Sequence, residues 1–126
     1  MATVETQILT MTEEQLDVLP VGIILLDRDG KILYYNKSQA NLSRRKPETT
    51  VGLNFFRDVA PCAAVKAFQG RFDEFVTSSF AENLVEPFDF TFDFPWGSRN
   101  VAITLVRGTG KPETYFVVVS VVQVSA

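Results

Sequence analysis

The sequence predicts an α+β domain in which helices are inserted between strands two and three of a five-stranded antiparallel sheet. Three observations carry that prediction. Two apolar runs flank an Asp-Gly pair at residues 21–35. The middle of the chain then carries helix caps and helically spaced apolar residues. The last third returns to alternating and β-branched runs separated by Gly- and Pro-containing turns. Two strands, then helices, then three strands is the order of a layered α+β domain with helices gathered on one side of the sheet.

Each element follows from local residues. Residues 1–11 lack a periodic pattern and are expected to form a loosely held arm, leaving 12–126 as a single domain. Thr12 offers an N-cap and Gln15 completes a capping box, so a short helix runs to about Val18 and ends before Pro20. "VGIILLD" (21–27) reads as a buried strand, Asp29-Gly30 as a turn and "KILYY" (31–35) as the returning strand. Asn36 suits an N-cap and Pro47 the first position of another turn, so 36–61 reads as short helices and loops. Beyond Cys62, a longer helix is marked by Phe68, Phe72, Phe75 and Val76, with Lys66, Arg71, Asp73 and Glu74 between them. Gly70 interrupts it at a cost of about 1 kcal/mol relative to Ala. In "EPFDFTFDF" (86–94), Phe88, Phe90, Phe92 and Phe94 take one face, and Asp89, Thr91 and Asp93 the other. "PWGS" (95–98) turns the chain into "RNVAITLVR" (99–107), and "GTGKPE" (108–113) turns it into "TYFVVVSVVQV" (114–124).

Composition narrows the function. The 126 residues, 46% of them hydrophobic, suffice for one core. A net charge of −3 without a Lys/Arg cluster argues against nucleic acid as a partner. The longest apolar runs fall far short of the roughly 20 residues that span a bilayer, so no membrane partner is expected. The N-terminus has no signal-peptide pattern and the lone cysteine cannot form an internal disulfide, so the expected location is cytoplasmic. The sequons at Asn36 and Asn41 therefore read as chance. With no histidine, Ser-His-Asp and Cys-His catalysis are excluded and a zinc site is discounted. "DRDG" (27–30) has the wrong spacing for a calcium loop.

Two segments carry candidate chemistry. Tyr35, Gln39 and Ser43 are spaced four apart, which aligns a phenol, an amide and a hydroxyl if the backbone turns helically; Arg45 follows. Cys62 sits in "RDVAPCAAVKAF" (57–68). A buried thiol and a donor stripe suit an anionic ligand anchored by sulfur, because an anion removed from water needs donors or takes up a proton. Taken alone, composition favours plainer roles. Cys62 would fill space, Gln39 and Ser43 would be solvated helix residues, Arg45 a surface charge and Tyr35 strand packing, with Tyr34 on the opposite face.

The stretches "EEQLDVLPVGIILLDRDGKILYYN", "GLNFFRDVAPC", "FQGRF" and "FDFTFDF" resemble the photoactive yellow protein family, blue-light receptors with the PAS fold. The likeness covers about 14–119, and "NFFRDVAPC" is its specific signal because it contains the family's chromophore-bearing cysteine. The resemblance implies 4-hydroxycinnamic (p-coumaric) acid bound to Cys62 as a covalent thioester and buried as a phenolate. It implies that Tyr35 binds the phenolate, that Ser43 orients Tyr35 and that Arg45 closes the pocket. Phe55, Pro61, Phe92 and Phe94 match apolar or aromatic positions near the chromophore. Light would isomerise the double bond, the phenolate would gain a proton, and part of the protein would loosen to engage a downstream signalling protein. Two positions depart from the family. Gln39 stands where the family has glutamic acid, and Trp96 near a methionine that assists dark recovery. A non-enzymatic photoreceptor, monomeric or weakly dimeric, is the expectation. The alternatives are a PAS-type module that binds a ligand or partner without chromophore, with the apolar fifth strand as a dimer face, and last a thiol enzyme or redox sensor.

Overall fold

The computed structural model describes residues 11–77, 85–107 and 116–122. The arm, except Met11, the turn at 108–113 and the ends of the fifth strand thus lie outside the described residues. Helix α1 spans Glu13–Asp17, and Thr12 and Gln15 form the capping box. Strands β1 (Gly22–Leu26) and β2 (Ile32–Tyr35) follow, joined through Asp27, whose Oδ1 accepts the amides of Asp29 and Lys31, both at 2.9 Å. Gly30 turns at φ 89°, a left-handed conformation that favours glycine.

Helix α2 runs Lys37–Ser43 from the Asn36 cap. Short turns follow at Pro47–Thr49, Phe55–Val59 and Pro61–Ala63. The helix expected after Cys62 divides at the predicted glycine: a wide π-type turn, Lys66–Gly70, leads into α3, Arg71–Thr77. Strands β3 (Val85–Phe94), β4 (Gly97–Arg107) and β5 (Phe116–Val122) complete an antiparallel sheet of order β2-β1-β5-β4-β3.

Alternation along the strands separates two cores. Ile24, Leu26, Tyr35, Phe92, Phe116 and Val118 pack with Phe55, Phe68, Phe72 and Phe75 from the helical layer. Phe68 is the hub, with ring centroids of Phe55, Phe56, Phe88, Phe90 and Phe92 between 5.1 and 5.9 Å away. Ile23, Val106, Val117 and Val119 point to the other side and pack with Leu16 and Tyr34. The helices are therefore not all on one side: α1 covers the second face. The cause is that β1 and β5 are apolar on both faces, so each face must be covered. Residues 116–120 of β5 are consequently buried within the chain, which removes most of that strand as a dimer face.

Tyr34 fastens α1 to the sheet. Its hydroxyl donates to Asp17 Oδ1 at 2.6 Å, with the Glu13 carbonyl 3.1 Å away. Burial, then the bond to Asp17 and the charges of Asp17 and Glu13, push the Tyr34 pKa up. Tyr35 is raised as well, chiefly by burial. Both phenols ionise more readily in the unfolded chain. Their contribution to stability is full below the ordinary tyrosine pKa of 10.0 and is lost as pH rises beyond it. Tyr34→Phe is expected to cost about 1.5 kcal/mol at neutral pH and to shallow the alkaline loss of stability. Urea unfolding at stepped pH checks both.

Candidate functional site

The site begins where β2 ends. Tyr35 closes the strand and Asn36 turns the chain into α2. Asn36 is fully buried, and its side chain is fully used. Oδ1 accepts the Ile23 amide at 2.8 Å and the Gln39 amide at 3.0 Å; Nδ2 donates to the carbonyls of Leu16 at 2.8 Å and Val21 at 3.0 Å. One amide thus ties α1, β1 and α2 together. The sequence marks Asn36 as a cap but gives no sign of the other three bonds, which join residues distant in the chain.

This joint brings the predicted stripe indoors. Tyr35 and Gln39 are each 1% exposed and Ser43 8%. The Tyr35 hydroxyl and Ser43 Oγ share a hydrogen bond of 2.6 Å, and Ser43 Oγ donates to the Gln39 carbonyl at 2.9 Å. With Ser43 donating backward, Tyr35 supplies the proton of the short bond. Burial raises the Tyr35 pKa, opposed by the hydrogen bonds of Ser43 and Gln39 and by the charge of Arg45. The phenol stays protonated and is a donor at neutral pH. Gln39 Oε1 is buried and has no hydrogen-bond partner among the described residues.

The arginines differ in use. Arg45 is half-buried, and its Nε donates to Thr50 Oγ1 at 3.3 Å. Arg44 takes the left-handed conformation at the end of α2, φ 57°, where glycine is favoured. Its guanidinium lies 4.0 Å from the Trp96 ring centroid, and that of Arg99 4.6 Å. The sequence carried no hint of the Arg44 contact. Trp96 stacks on Phe94 at 5.0 Å and 9° between planes, Phe94 on Phe92 at 5.4 Å, and Phe92 meets Phe55 edge-on at 6.3 Å. The aromatic positions named from sequence thus form one run from the core to the edge of β3.

Cys62 lies beside that run, next to Asp93 and Phe94. It is a free, half-buried thiol in the turn Pro61–Ala63, and Sγ accepts the Asp93 amide at 3.4 Å. Val59, Ala60, Pro61, Cys62, Asp93, Phe94 and Pro95 line a cleft of about 350 Å³, within the roughly 300–1,000 Å³ of small-molecule sites. Asn54 caps the Phe55–Val59 turn that precedes Cys62, accepting the amides of Phe56 and Arg57 and donating to the Asp29 carbonyl. Tyr35, Gln39 and Ser43 do not line this cleft. The sulfur and the donor trio are separate groups on one core, in which Cys62 and Phe94 pack against the cluster that contains Tyr35, Phe55 and Phe92. Chemically, a thiol can anchor an acyl group, and a buried phenol and a buried amide can donate hydrogen bonds to an anion.

The family model described as "PAS fold" matches residues 10–118. A PAS domain of a Haloarcula marismortui protein superposes with a TM-score of 0.67 over 94% of this chain and 91% of its own length, at 15% identity. The chain is a PAS-fold protein. Closer in sequence is the photoactive yellow protein domain of a Rhodospirillum centenum sensor histidine kinase, at 40% identity and a TM-score of 0.78 over 92% of this chain and 98% of that one. The photoactive yellow protein of Rhodothalassium salexigens is 36% identical over 115 residues, 90% of each chain. The chain belongs to the photoactive yellow protein family.

Trp96 is the sole tryptophan, so its fluorescence reports on the aromatic run. Arg44→Ala is expected to shift the emission to longer wavelength and to increase acrylamide quenching, because the guanidinium no longer covers the indole.

Proposed function

We propose that this chain is a blue-light photoreceptor carrying p-coumaric acid as a thioester on Cys62. Light absorption and isomerisation about the side-chain double bond are what that group supplies when bound. The observation that carries the reading is the burial of Tyr35, Gln39 and Ser43 on the same core that Cys62 and Phe94 pack against.

The residues divide the work. Cys62 anchors through sulfur. Tyr35 would donate a hydrogen bond from its phenol to the chromophore's ring oxygen, and Gln39 one from its amide, each keeping its proton. For Tyr35 to do so, Ser43 must turn its own proton from the Gln39 carbonyl to the Tyr35 oxygen, a rotation about a single bond across the 2.6 Å contact. Ser43 thereby sets the direction of the donor chain. Arg45, whose charge acts on Tyr35, favours negative charge nearby. Phe55, Phe92 and Phe94 would keep water from the ring, Pro61 lines the Cys62 cleft from an exposed position, and the Arg44–Trp96 stack lies at the outer end of the aromatic run. Gln39 has no ionisable proton, so a proton taken up by the ring oxygen would have to come from solvent or another group. The resulting change would be read by a downstream signalling protein. Residues 12–126 would act as one photosensor domain, with 1–11 as an arm.

The cleft lining that leaves out Tyr35 favours a second reading, a PAS module that takes a ligand or partner without chromophore. One preparation separates the two. Apoprotein mixed with an activated ester of p-coumaric acid is expected to turn yellow, to gain one acyl mass on the Cys62 peptide and to bleach reversibly in blue light. Cys62→Ala is expected to remain colourless. An unmodified wild-type protein contradicts the photoreceptor reading and supports the second. Gln39→Glu in the loaded protein is expected to move the dark absorbance to shorter wavelength, since a buried acid localises phenolate charge more than an amide does. A shift to longer wavelength, or none, contradicts the assigned contact.

A further inference from the structure

Two buried polar atoms lack a hydrogen-bond partner among the described residues within one small region of the sheet: Gln39 Oε1 and Ser120 Oγ. Each residue is 1% exposed. Gly22 locates them both. A Cβ on Gly22 would lie 2.2 Å from Gln39 Oε1 and 3.3 Å from Ser120 Cβ. Gly22 and Ser120 are partners across the β1–β5 ladder, on the face that carries Ile24, Phe116 and Val118. The Gln39 amide therefore occupies the space that a side chain at position 22 would fill, with the Ser120 side chain beside it.

An acceptor and a hydroxyl both stripped of water are costly when unpaired, and here they are neighbours. In the present rotamers the two atoms are not bonded to each other; a turn of the serine side chain about Cα–Cβ, between staggered rotamers, moves Oγ relative to Oε1. We propose that Ser120 is a positioning residue for Gln39: its hydroxyl donates to Gln39 Oε1 and thereby presents the Nε2 hydrogens to the site beside the Tyr35 hydroxyl. The functional consequence rests on the photoreceptor reading; the Ser120–Gln39 contact does not.

Donor accounting explains the need. A phenolate only accepts hydrogen bonds, so Gln39 must show it Nε2 and not Oε1. The two orientations of a carboxamide differ only through their surroundings. A donor at Oε1 selects the useful one, and it also polarises the amide and strengthens the bond given by Nε2. A carboxylic acid in this position would place its proton on either oxygen and so would not need the selection. Glutamine does.

The test uses Ser120→Thr, which keeps the hydroxyl, and Ser120→Val, which has the same shape without it. Ser120→Ala is a smaller hydroxyl-free variant in case valine disturbs folding. In chromophore-free protein labelled with carbon-13 glutamine, the Gln39 Cδ resonance reports hydrogen bonding at Oε1. The Thr variant is expected to match wild type, and the Val and Ala variants to move upfield. In p-coumarate-loaded protein, Val and Ala are expected to absorb at longer wavelength than wild type, with Thr restoring the wild-type spectrum. Identical Cδ resonances in all four proteins overturn the proposal, whether or not chromophore attaches. A Cδ shift without a change in absorbance overturns the positioning role. A Cδ shift in a wild-type background that never takes up chromophore supports the contact and counts against the photoreceptor reading alone.

Discussion

The site depends on one buried amide. Asn36 meets four backbone groups from α1, the approach to β1, β1 itself and α2, and in doing so fixes the angle at which α2 leaves the sheet. That angle decides whether residues 39 and 43 face water or core. Shortening the side chain or removing its carbonyl would orphan at least the Ile23 amide and free the start of α2. The other site features follow from the joint. Tyr35 immediately precedes it, Gln39 is three residues along the helix and Ser43 one turn further, so all three reach the same core.

Burial gives these groups their value and their cost. A phenol, an amide and a hydroxyl in water are unremarkable donors, already satisfied by solvent. Inside a core built of phenylalanine they have few partners, and each unmade bond costs about 1–3 kcal/mol. The short Tyr35–Ser43 bond and the Ser43 bond to the helix carbonyl relieve part of that cost. What is left over is an acceptor, Gln39 Oε1, without a partner among the described residues. The aromatic run from Phe55 to Trp96 supplies the low-dielectric surroundings in which such donors act strongly on an anion. Among the described residues no helix is long and apolar enough to cross a membrane.

Much of the fold was legible because its signals are local. The Thr12 box, the Asp27–Gly30 turn, the Phe88–Phe94 alternation and the break at Gly70 are each written in a few adjacent residues. Tyr35, Gln39 and Ser43 were legible as a spacing, and Cys62 through the residues around it. What escaped the sequence is long-range. The placement of α1 on the second face needs Tyr34 to meet Asp17. The stacking of Arg44 on Trp96 needs the end of α2 to approach the β3–β4 turn. The neighbourhood of Gln39 and Ser120 needs β5 to pair with β1. Periodicity tells that a residue is buried, and pairing tells against what; only the first is visible in a single chain.

The central claim is that donors around Tyr35 outweigh burial in setting the charge of a guest's ring oxygen. Burial alone raises a phenol's pKa, while hydrogen bonds to the anion lower it. The direct measurement is an absorbance titration of the dark-state chromophore in the p-coumarate-loaded protein. The account predicts a phenolate that persists to pH values well below the roughly 10 of an unperturbed phenol. A chromophore that ionises at about 10 or above would show that Tyr35 and Gln39 do not hold it, and would contradict the account.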